Sequence, residues 1–307
     1  MPLQSNVNVE LRYGAESTFG TQSAAAGQKL RRVSSSLALT KDVFTSNEVR
    51  PDMQISDMRH GVKRVAGQIA GELSKTTYDD LIAAALRGTW ATNELVNGVL
   101  KPSFTFEQYY TDLDISEVFT GCRVGEMNVS IQPTGMATIT FGIQGQGMTT
   151  SSGNGAPVFA TPTAATATSI LSGVNGTMSI DGIGSTIITG MDFALTNNLN
   201  SQPVIGSTTV PEIFYGRSVV TGTVSAFFDS TTLLSAFINE TTVKLSIAMT
   251  GTDSTSMTFK MNKVKLNGAN KTIGADGGVI VQLPFQALLA TSVAGDADGT
   301  LVVERSA

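Results

Sequence analysis

Residues 64–86 read RVAGQIAGELSKTTYDDLIAAAL, and residues 219–239 read VVTGTVSAFFDSTTLLSAFIN. The two stretches align without gaps, and in both of them apolar or small residues recur at every second position. Such alternation is typical of a strand with one buried face, and the apolar run after each pair of threonines suits a short helix. Thr77 and Asp80 also fit a capping box at the start of the first helix. The sequence therefore predicts the same strand-to-helix unit twice.

Two further blocks repeat in the same order. Residues 37–40 match residues 193–196, and residues 137–144 match residues 279–286, at slightly different offsets that place insertions in the loops. Colinear blocks of this kind indicate a duplicated domain. We expect a first domain at residues 1–145, a linker or long loop at 146–168 and a second domain at 169–307.

Composition favours an antiparallel β-protein. Charged residues make up only 15% of the chain, and pairs such as Asn97-Gly98 and Asn267-Gly268 punctuate alternating runs, as tight hairpin turns do. The net charge of −5 argues against tight binding to nucleic acid phosphates. The N-terminus has no pattern of a secretory signal, and no apolar run approaches the roughly 20 residues that span a bilayer. We expect a soluble protein made in a cytoplasm.

Catalytic and metal-binding patterns are weak throughout the sequence. A lone histidine, His60, and a lone cysteine, Cys122, cannot supply a zinc site, and no nucleophile motif accompanies the histidine. Asp296 and Asp298 open like a calcium loop, but the remaining ligands do not follow. The other motifs that we considered and judged structural are Asp79-Asp80, Gly142/Gly145/Gly147, Gly182/Gly184, Arg31-Arg32 and Lys63-Arg64. We therefore predict no catalytic residue, no metal and no cofactor, and hence no enzyme.

Three stretches resemble a known family. They are residues 13–21 (YGAESTFGT), residues 47–52 (NEVRPD) and residues 65–73 (VAGQIAGEL). Together they are similar to the major tail tube proteins of bacteriophages with long, non-contractile tails. The resemblance implies β-sandwich or half-barrel domains, each with a short flanking helix. It also implies a virion protein that polymerises as stacked rings around a channel for double-stranded DNA.

The duplication then bears on the number of chains in a ring. Tubes of this family generally have six tube domains per ring, so a chain with two such domains predicts a homotrimer with pseudo-sixfold symmetry. If the second half is instead an outer decoration, a homohexamer is expected. The resemblance further implies contacts with other tail proteins, namely the tape measure, the tail tip and the terminator, and a lumen that DNA passes without sticking.

Contacts between rings are expected from three segments that have little capacity to bury themselves. These are a partly extended N-terminal arm within residues 1–30, an aromatic-rich insertion at residues 88–114 and the 146–168 linker. Deleting residues 1–20 is expected to leave folded subunits that fail to polymerise.

Two alternatives stay open at this stage. One is a tandem β-sandwich adhesin or receptor-binding protein with an aromatic pocket built from Trp90, Phe104 and Tyr109. The other is a different structural role in the virion, such as a head or connector protein. Stacked rings with a central hole, seen by electron microscopy, would separate these readings.

Overall fold

The structure is a computed structural model that describes residues 3–181, 188–229, 231–274, 277–291 and 297–306. These residues form a mainly antiparallel β-fold with two short α-helices, which confirms the fold class expected from the sequence. Neither helix has the length and apolar character needed to cross a bilayer.

The elements of the first half begin at β1 and end at β10. The strands are β1 (Val9–Ala15), β2 (Gln28–Lys29), β3 (Ser34–Ser35), β4 (Ala38–Thr45), β5 (Met58–Glu72), β6 (Glu94–Val96), β7 (Phe104–Tyr110), β8 (Ile115–Ile131), β9 (Thr138–Gly145) and β10 (Gly147–Ser152), and helix α1 (Asp79–Leu86) follows β5.

The elements of the second half follow in a similar order. The strands are β11 (Gly176–Asp181), β12 (Ile188–Thr196), β13 (Asn200–Ser201), β14 (Ile213–Phe214), β15 (Val219–Phe227), β16 (Val243–Thr250), β17 (Ser256–Leu266), β18 (Asn270–Thr272), β19 (Ile280–Ala287) and β20 (Val302–Arg305), and helix α2 (Thr232–Ile238) follows β15.

Strand β8 connects two groups of strands in the first half. Its N-terminal part pairs with β7 and β10, and β7 pairs in turn with β1. Its C-terminal part pairs with β9, which continues to β5 and β4. One long strand therefore contributes to both layers of a sandwich, whose interior holds apolar residues from both groups and from α1.

The second half repeats this pairing scheme. Leu39 faces Val65 between β4 and β5, and Leu195 faces Val220 between β12 and β15. The next ladder also corresponds, because β5 pairs with β9 as β15 pairs with β19. Even an irregularity recurs: the register shifts at the start of the β7–β8 ladder and again at the start of the β16–β17 ladder. Residues matched in the sequence thus occupy matching ladder positions.

The glycine shared by both repeats has a common steric reason. A Cβ atom at Gly67 would collide with the carbonyl oxygen of Ser36, and one at Gly222 would collide with the carbonyl oxygen of Asp192. In both halves the neighbouring backbone approaches this position too closely for any side chain.

The capping box predicted for α1 is wrong. The N-cap residue is Tyr78, and its side chain makes no capping hydrogen bond. Thr77 is buried and its hydroxyl contacts those of Ser74 and Thr166, 2.6 and 2.5 Å away, while the Asp80 carboxylate accepts a hydrogen bond from the Tyr13 hydroxyl at 3.0 Å. Both side chains therefore form hydrogen bonds with other side chains instead of capping the helix.

The three segments expected to bury little are largely packed within the chain. Residues 9–15 form β1, which pairs with β7 over its whole length and buries Leu11 and Tyr13. The 88–114 segment contains β6 and β7, and the 146–168 segment contains β10 and the fully buried Phe159. The expectation that the N-terminal arm buries little of itself is therefore wrong for residues 9–15.

Deleting residues 1–20 should unfold the first half instead of leaving a folded subunit. Loss of β1 removes a complete ladder and two buried side chains, each worth about 2–5 kcal/mol, against a typical domain stability of about 5–15 kcal/mol. Circular dichroism and urea unfolding will measure the loss. Deleting only residues 1–3 is the control and should change neither, and a fully folded 1–20 deletion would contradict the role of β1.

Candidate assembly interface

A strand ladder joins the two halves of the chain, and we call it the seam. Strands β8 and β12 pair antiparallel over six residue pairs, from Ile131 with Met191 to Glu126 with Thr196. The seam makes one continuous sheet in the order β4, β5, β9, β8, β12, β15, β19, β18. The interface between the halves is thus an extension of the sheet itself.

Asn197 stabilises the seam just beyond its last residue pair. Its backbone N–H donates to the carbonyl oxygen of Gly125 at 2.8 Å, and its side-chain amide donates to the carbonyl oxygens of Ala85 and Val124 at 2.9 and 3.3 Å. The residue is fully buried. A residue of the second half therefore satisfies carbonyl groups at the end of α1 and on β8.

Arg123 holds the connection between β12 and β15 against the first half. Its guanidinium lies 2.5 Å from the Glu212 carboxylate, contacts the carbonyl oxygen of Ile213 and packs on the rings of Phe19 and Tyr215 at 4.5 and 5.3 Å. Burial raises the pKa of Tyr215 to about 12, although the nearby arginines oppose that rise. The buried charge is thus paired and enclosed by aromatic rings.

A buried carboxylate fixes the 146–168 segment. Glu107 accepts hydrogen bonds from the backbone N–H groups of Val158 and Phe159 at 2.6 and 3.1 Å and from the Ser116 hydroxyl at 2.6 Å. The Arg12 guanidinium lies 3.7 Å away and balances the charge. This segment is consequently held by its own chain along its middle.

Glu16 lies in the YGAESTFGT stretch and organises the adjacent turn. Its carboxylate accepts hydrogen bonds from the N–H groups of Gly20 and Gly121 and from the hydroxyls of Ser103 and Thr105, at 2.7–3.0 Å. The following Phe19 is the ring under Arg123. Residues of this stretch therefore support the seam instead of forming a chemical site.

The two outer strands of the continuous sheet have free edges. Within the described residues, β4 pairs only with β5, and β18 pairs only with β19. β4 corresponds to β12, and residues 40–45 of β4 are all exposed, whereas β12, covered by β8, alternates buried positions. β18 corresponds to the C-terminal part of β8, because both face the same stretch of the third repeat. The free edges of β4 and β18 thus correspond to the edges of β12 and β8, which pair with each other at the seam.

The face of this sheet that points away from the core is polar. Neighbouring strands bring together small neutral side chains such as Thr140, Asn128 and Thr221. Near the middle of this face the charged residues are Glu126 and Asp192, both acidic, and the Gln132 amide lies 3.4 Å from the Asp192 carboxylate. Arg64 and Glu72 lie farther out on β5. This polar face therefore has few positively charged side chains that could bind a polyanion.

The β4–β5 hairpin projects beyond the sheet and exposes apolar side chains. Its strands pair as far as Thr45 with Met58, and the connecting residues 46–57 lack further regular pairing. The exposed apolar residues here are Val43, Phe44, Val49, Met53, Ile55 and Met58. Clustered exposure of this kind marks an interaction surface.

The residues considered for catalysis do not converge. His60 is exposed on β5 opposite Val43, and Cys122 is fully buried, where burial, reinforced by the charge of Glu16, raises the pKa of its thiol. Asp79 forms an ion pair with Arg305. The described residues contain no cluster of three or more metal-ligating side chains, and Asp296, Gly182 and Gly184 lie outside them.

The three aromatic residues proposed for a binding pocket have separate environments. Phe104 is buried in the core beside Tyr13, with ring centroids 5.9 Å apart. The Trp90 ring packs under Arg305, and the Tyr109 ring packs under Arg12, at 4.4 and 4.6 Å. Each ring is thus engaged by its own chain.

The chain matches a model of a known protein family. This model, described as phage tail tube protein, matches residues 7–287, which include the seam and most of both halves. No curated protein matches the chain.

Replacing Arg123 with alanine should loosen the connection between β12 and β15 without unfolding the sheet. Hydrogen bonds to a charged group contribute about 1.5–3 kcal/mol, so we expect a loss of about 2 kcal/mol. Hydrogen exchange should show faster exchange around residues 210–216, where Val210 and Ile213 are buried. Arg50→Ala removes an exposed ion pair with Asp52 and should cost under about 0.5 kcal/mol. Equal effects of the two variants would contradict this assignment.

Proposed function

The chain belongs to the phage tail tube protein family, and on that premise we propose that it polymerises into stacked trimeric rings around a channel for double-stranded DNA. Membership makes it a structural protein of the virion tail, where it assembles into a tube and meets other tail proteins. The finer points of the proposal are the two tandem tube domains, the closure of the ring, the lumen and the passage of DNA.

The observation that carries the proposal is the recurrence of the seam edges at the two ends of the sheet. A free strand edge is a template for pairing with another chain. Because β4 corresponds to β12 and β18 to part of β8, a neighbouring copy can pair with this chain as its own halves pair. Each half then acts as one tube domain, with the boundary in the 146–168 segment. Contacts of this heterologous kind close into a ring when the rotation between units divides a full turn.

The number of strands favours three chains over six. Each chain supplies eight strands to the continuous sheet, so three chains supply 24. With strands about 4.8 Å apart and tilted by about 40°, such a barrel has a backbone diameter of about 48 Å. Six chains would double that diameter and leave a bore far wider than a duplex. A homotrimer with pseudo-sixfold symmetry is therefore the proposed ring.

The polar face of the sheet is the proposed lumen wall. The opposite face packs against the core, so closing the sheet into a barrel of this size directs serine, threonine, asparagine and glutamine side chains inward. Each cationic contact with a phosphate would add affinity by releasing counterions. A neutral to acidic wall thus avoids retaining DNA, and the channel conducts it passively toward the host. The tape measure, tail tip and terminator proteins are the proposed partners at the bore and at the two ends of the tube.

A pair of cysteines tests the ring closure. The seam register places Ala194 opposite Asn128, and the matching positions at the free edges are Ala38 and Asn270. In the Ala38→Cys/Asn270→Cys variant, oxidation of assembled rings should link neighbouring chains, and a denaturing gel should show a ladder that stops at three. Paired strands bring Cα atoms within disulfide range. Cys122 is buried and should not contribute.

The matched control is Lys41→Cys with Asn270→Cys, which moves one thiol out of register on the same strand. It should cross-link little. A ladder that reaches six would replace the trimer with a hexamer. Negative-stain images of the unmodified protein complete the test, because a failure to form rings with a central hole would refute the proposed function itself.

Cations added to the proposed lumen wall should impede DNA. Particles carrying Thr140→Lys and Thr223→Lys should eject DNA more slowly, and raising the salt concentration should relieve the defect, since phosphate binding weakens steeply with salt. The rate of ejection triggered in vitro measures this. Val7→Lys adds a charge at an exposed site in the other layer and should have no effect. Equal ejection rates for the lumen variant and the unmodified particle would contradict the wall assignment.

A further inference from the structure

Strands β4 and β12 correspond to each other, and the connections that follow them have nearly the same length but different environments. It comprises residues 197–218 in the second half and residues 41–63 in the first, measured between matching strand positions. The second-half connection folds onto the first half and buries Val210 and Ile213. The first-half connection forms the projecting hairpin, with Val49 and Met53 almost fully exposed, at 97% and 96%. One connection packs against a domain, whereas the other meets the second half at its base, where the Lys63 N–H donates to the carbonyl oxygen of Thr208, and leaves its tip exposed.

The surface that would receive the free hairpin can be located from the two helices. Both end alike, with Arg87 and Glu240 in the left-handed region and donating their N–H groups to the carbonyl three residues earlier. Ala85 therefore corresponds to Ile238 in the structure, because the left-handed residue follows the threonine pair two positions sooner in the second half than in the first. Ala85 is fully buried in the core and its carbonyl oxygen accepts a hydrogen bond from Asn197, whereas Ile238 is 66% exposed. The helix position that is buried in the first half is thus exposed in the second half.

The cation of the Arg123–Glu212 ion pair also has a counterpart of the same charge in the second half. Arg123 faces Gln144 on β9, and Lys265 faces the matching Gln286 on β19, so both cations occupy one ladder position. Lys265 is half-buried, and its ammonium contacts only the carbonyl of Glu240 among the hydrogen bonds of the described residues.

The anion has a counterpart as well. Glu212 lies seven residues before Val219, the first residue of β15. Counting back equally from Arg64, which corresponds to Val219, reaches Asp57. An acidic residue therefore occupies this position in both connections, and a basic residue occupies the facing ladder position in both halves.

We propose that Asp57 of one subunit binds Lys265 of its neighbour, and that the 41–63 hairpin covers Ile238 there, as residues 197–218 cover the first half. This inference rests on the proposed ring. It assigns the hairpin to a lateral contact within a ring. Asp57 now pairs with Arg59 at 3.2 Å, but both side chains are largely exposed, so exchanging partners costs little. The new pair would be dehydrated as Arg123 is at the seam.

Charge reversal tests the pair. Asp57→Lys and Lys265→Glu should each place like charges in contact and raise the concentration at which rings dissociate by roughly tenfold or more. The double reversal should return it to within about threefold of the original protein. Asp52→Lys makes the same change at a similarly exposed ion pair in the same hairpin and should have little effect. Sedimentation of the rings measures all four variants, and circular dichroism checks that each is folded.

A zero-length cross-link provides a second readout on the unmodified protein. A carbodiimide should join the Asp57 carboxyl to the Lys265 amine, and mixed nitrogen-14 and nitrogen-15 subunits should yield peptides that combine both isotopes. Isolated rings should give this product as readily as stacked tubes.

The outcomes separate this inference from the proposed function. If the unmodified protein forms rings but the single reversals have no effect, or the double reversal restores nothing, the pair is wrong and the ring stands. A cross-link found only in stacked tubes would move the hairpin to the next ring and overturn the lateral assignment. If the unmodified protein forms no rings, both the function and the pair are refuted.

Discussion

The need to pair strand edges governs this structure. A sheet that ends in exposed N–H and carbonyl groups is unstable against association, and closing the sheet removes the edge altogether. The chain satisfies half of this requirement by itself, because β8 and β12 join its two halves through six residue pairs. The corresponding edges remain on β4 and β18. In the proposed ring, assembly continues between chains the ladder that folding forms once between β8 and β12.

The buried polar and charged side chains serve this geometry. Arg123 and Asn197 lie where the second half meets the first, and Glu107 lies where the 146–168 segment crosses it. Burying such groups is costly unless they are fully paired, and breaking one pair leaves an uncompensated polar group. Their partners are largely backbone groups of one particular arrangement. They therefore favour a single orientation of the two halves, which a purely apolar contact would define less strictly.

The two halves share their ladders but differ in their surfaces. Matching strands keep the same register and even the same irregularity, because a slip of one residue would turn every core side chain outward. The connections outside the sheet carry no such constraint. In one half the connection is folded against a neighbour, and in the other it is a hairpin with exposed apolar side chains. This asymmetry gives the chain distinct ends, as the heterologous contact of the proposed ring requires.

The sequence by itself determined the repeated elements. Alternation with a period of two fixes which side of β5 and β15 is buried, and the apolar runs after them form α1 and α2. The β-fold and the three colinear blocks could therefore be predicted from the sequence. The YGAESTFGT stretch also pointed to tail tube proteins, and the comparison confirms the phage tail tube family without specifying the type of tail. These signals are local, and each depends on residues close together in the chain.

Only the tertiary structure decided where the halves meet. Thr77 and Asp80 form no capping box, because Thr166 and Tyr13 reach them from distant segments. Likewise, nothing near Arg123 in the sequence indicates Glu212, and nothing near residue 9 indicates that β1 needs β7. These contacts join residues that are 67 or more positions apart in the sequence. Their energies depend on burial and partner geometry, which a local pattern does not encode.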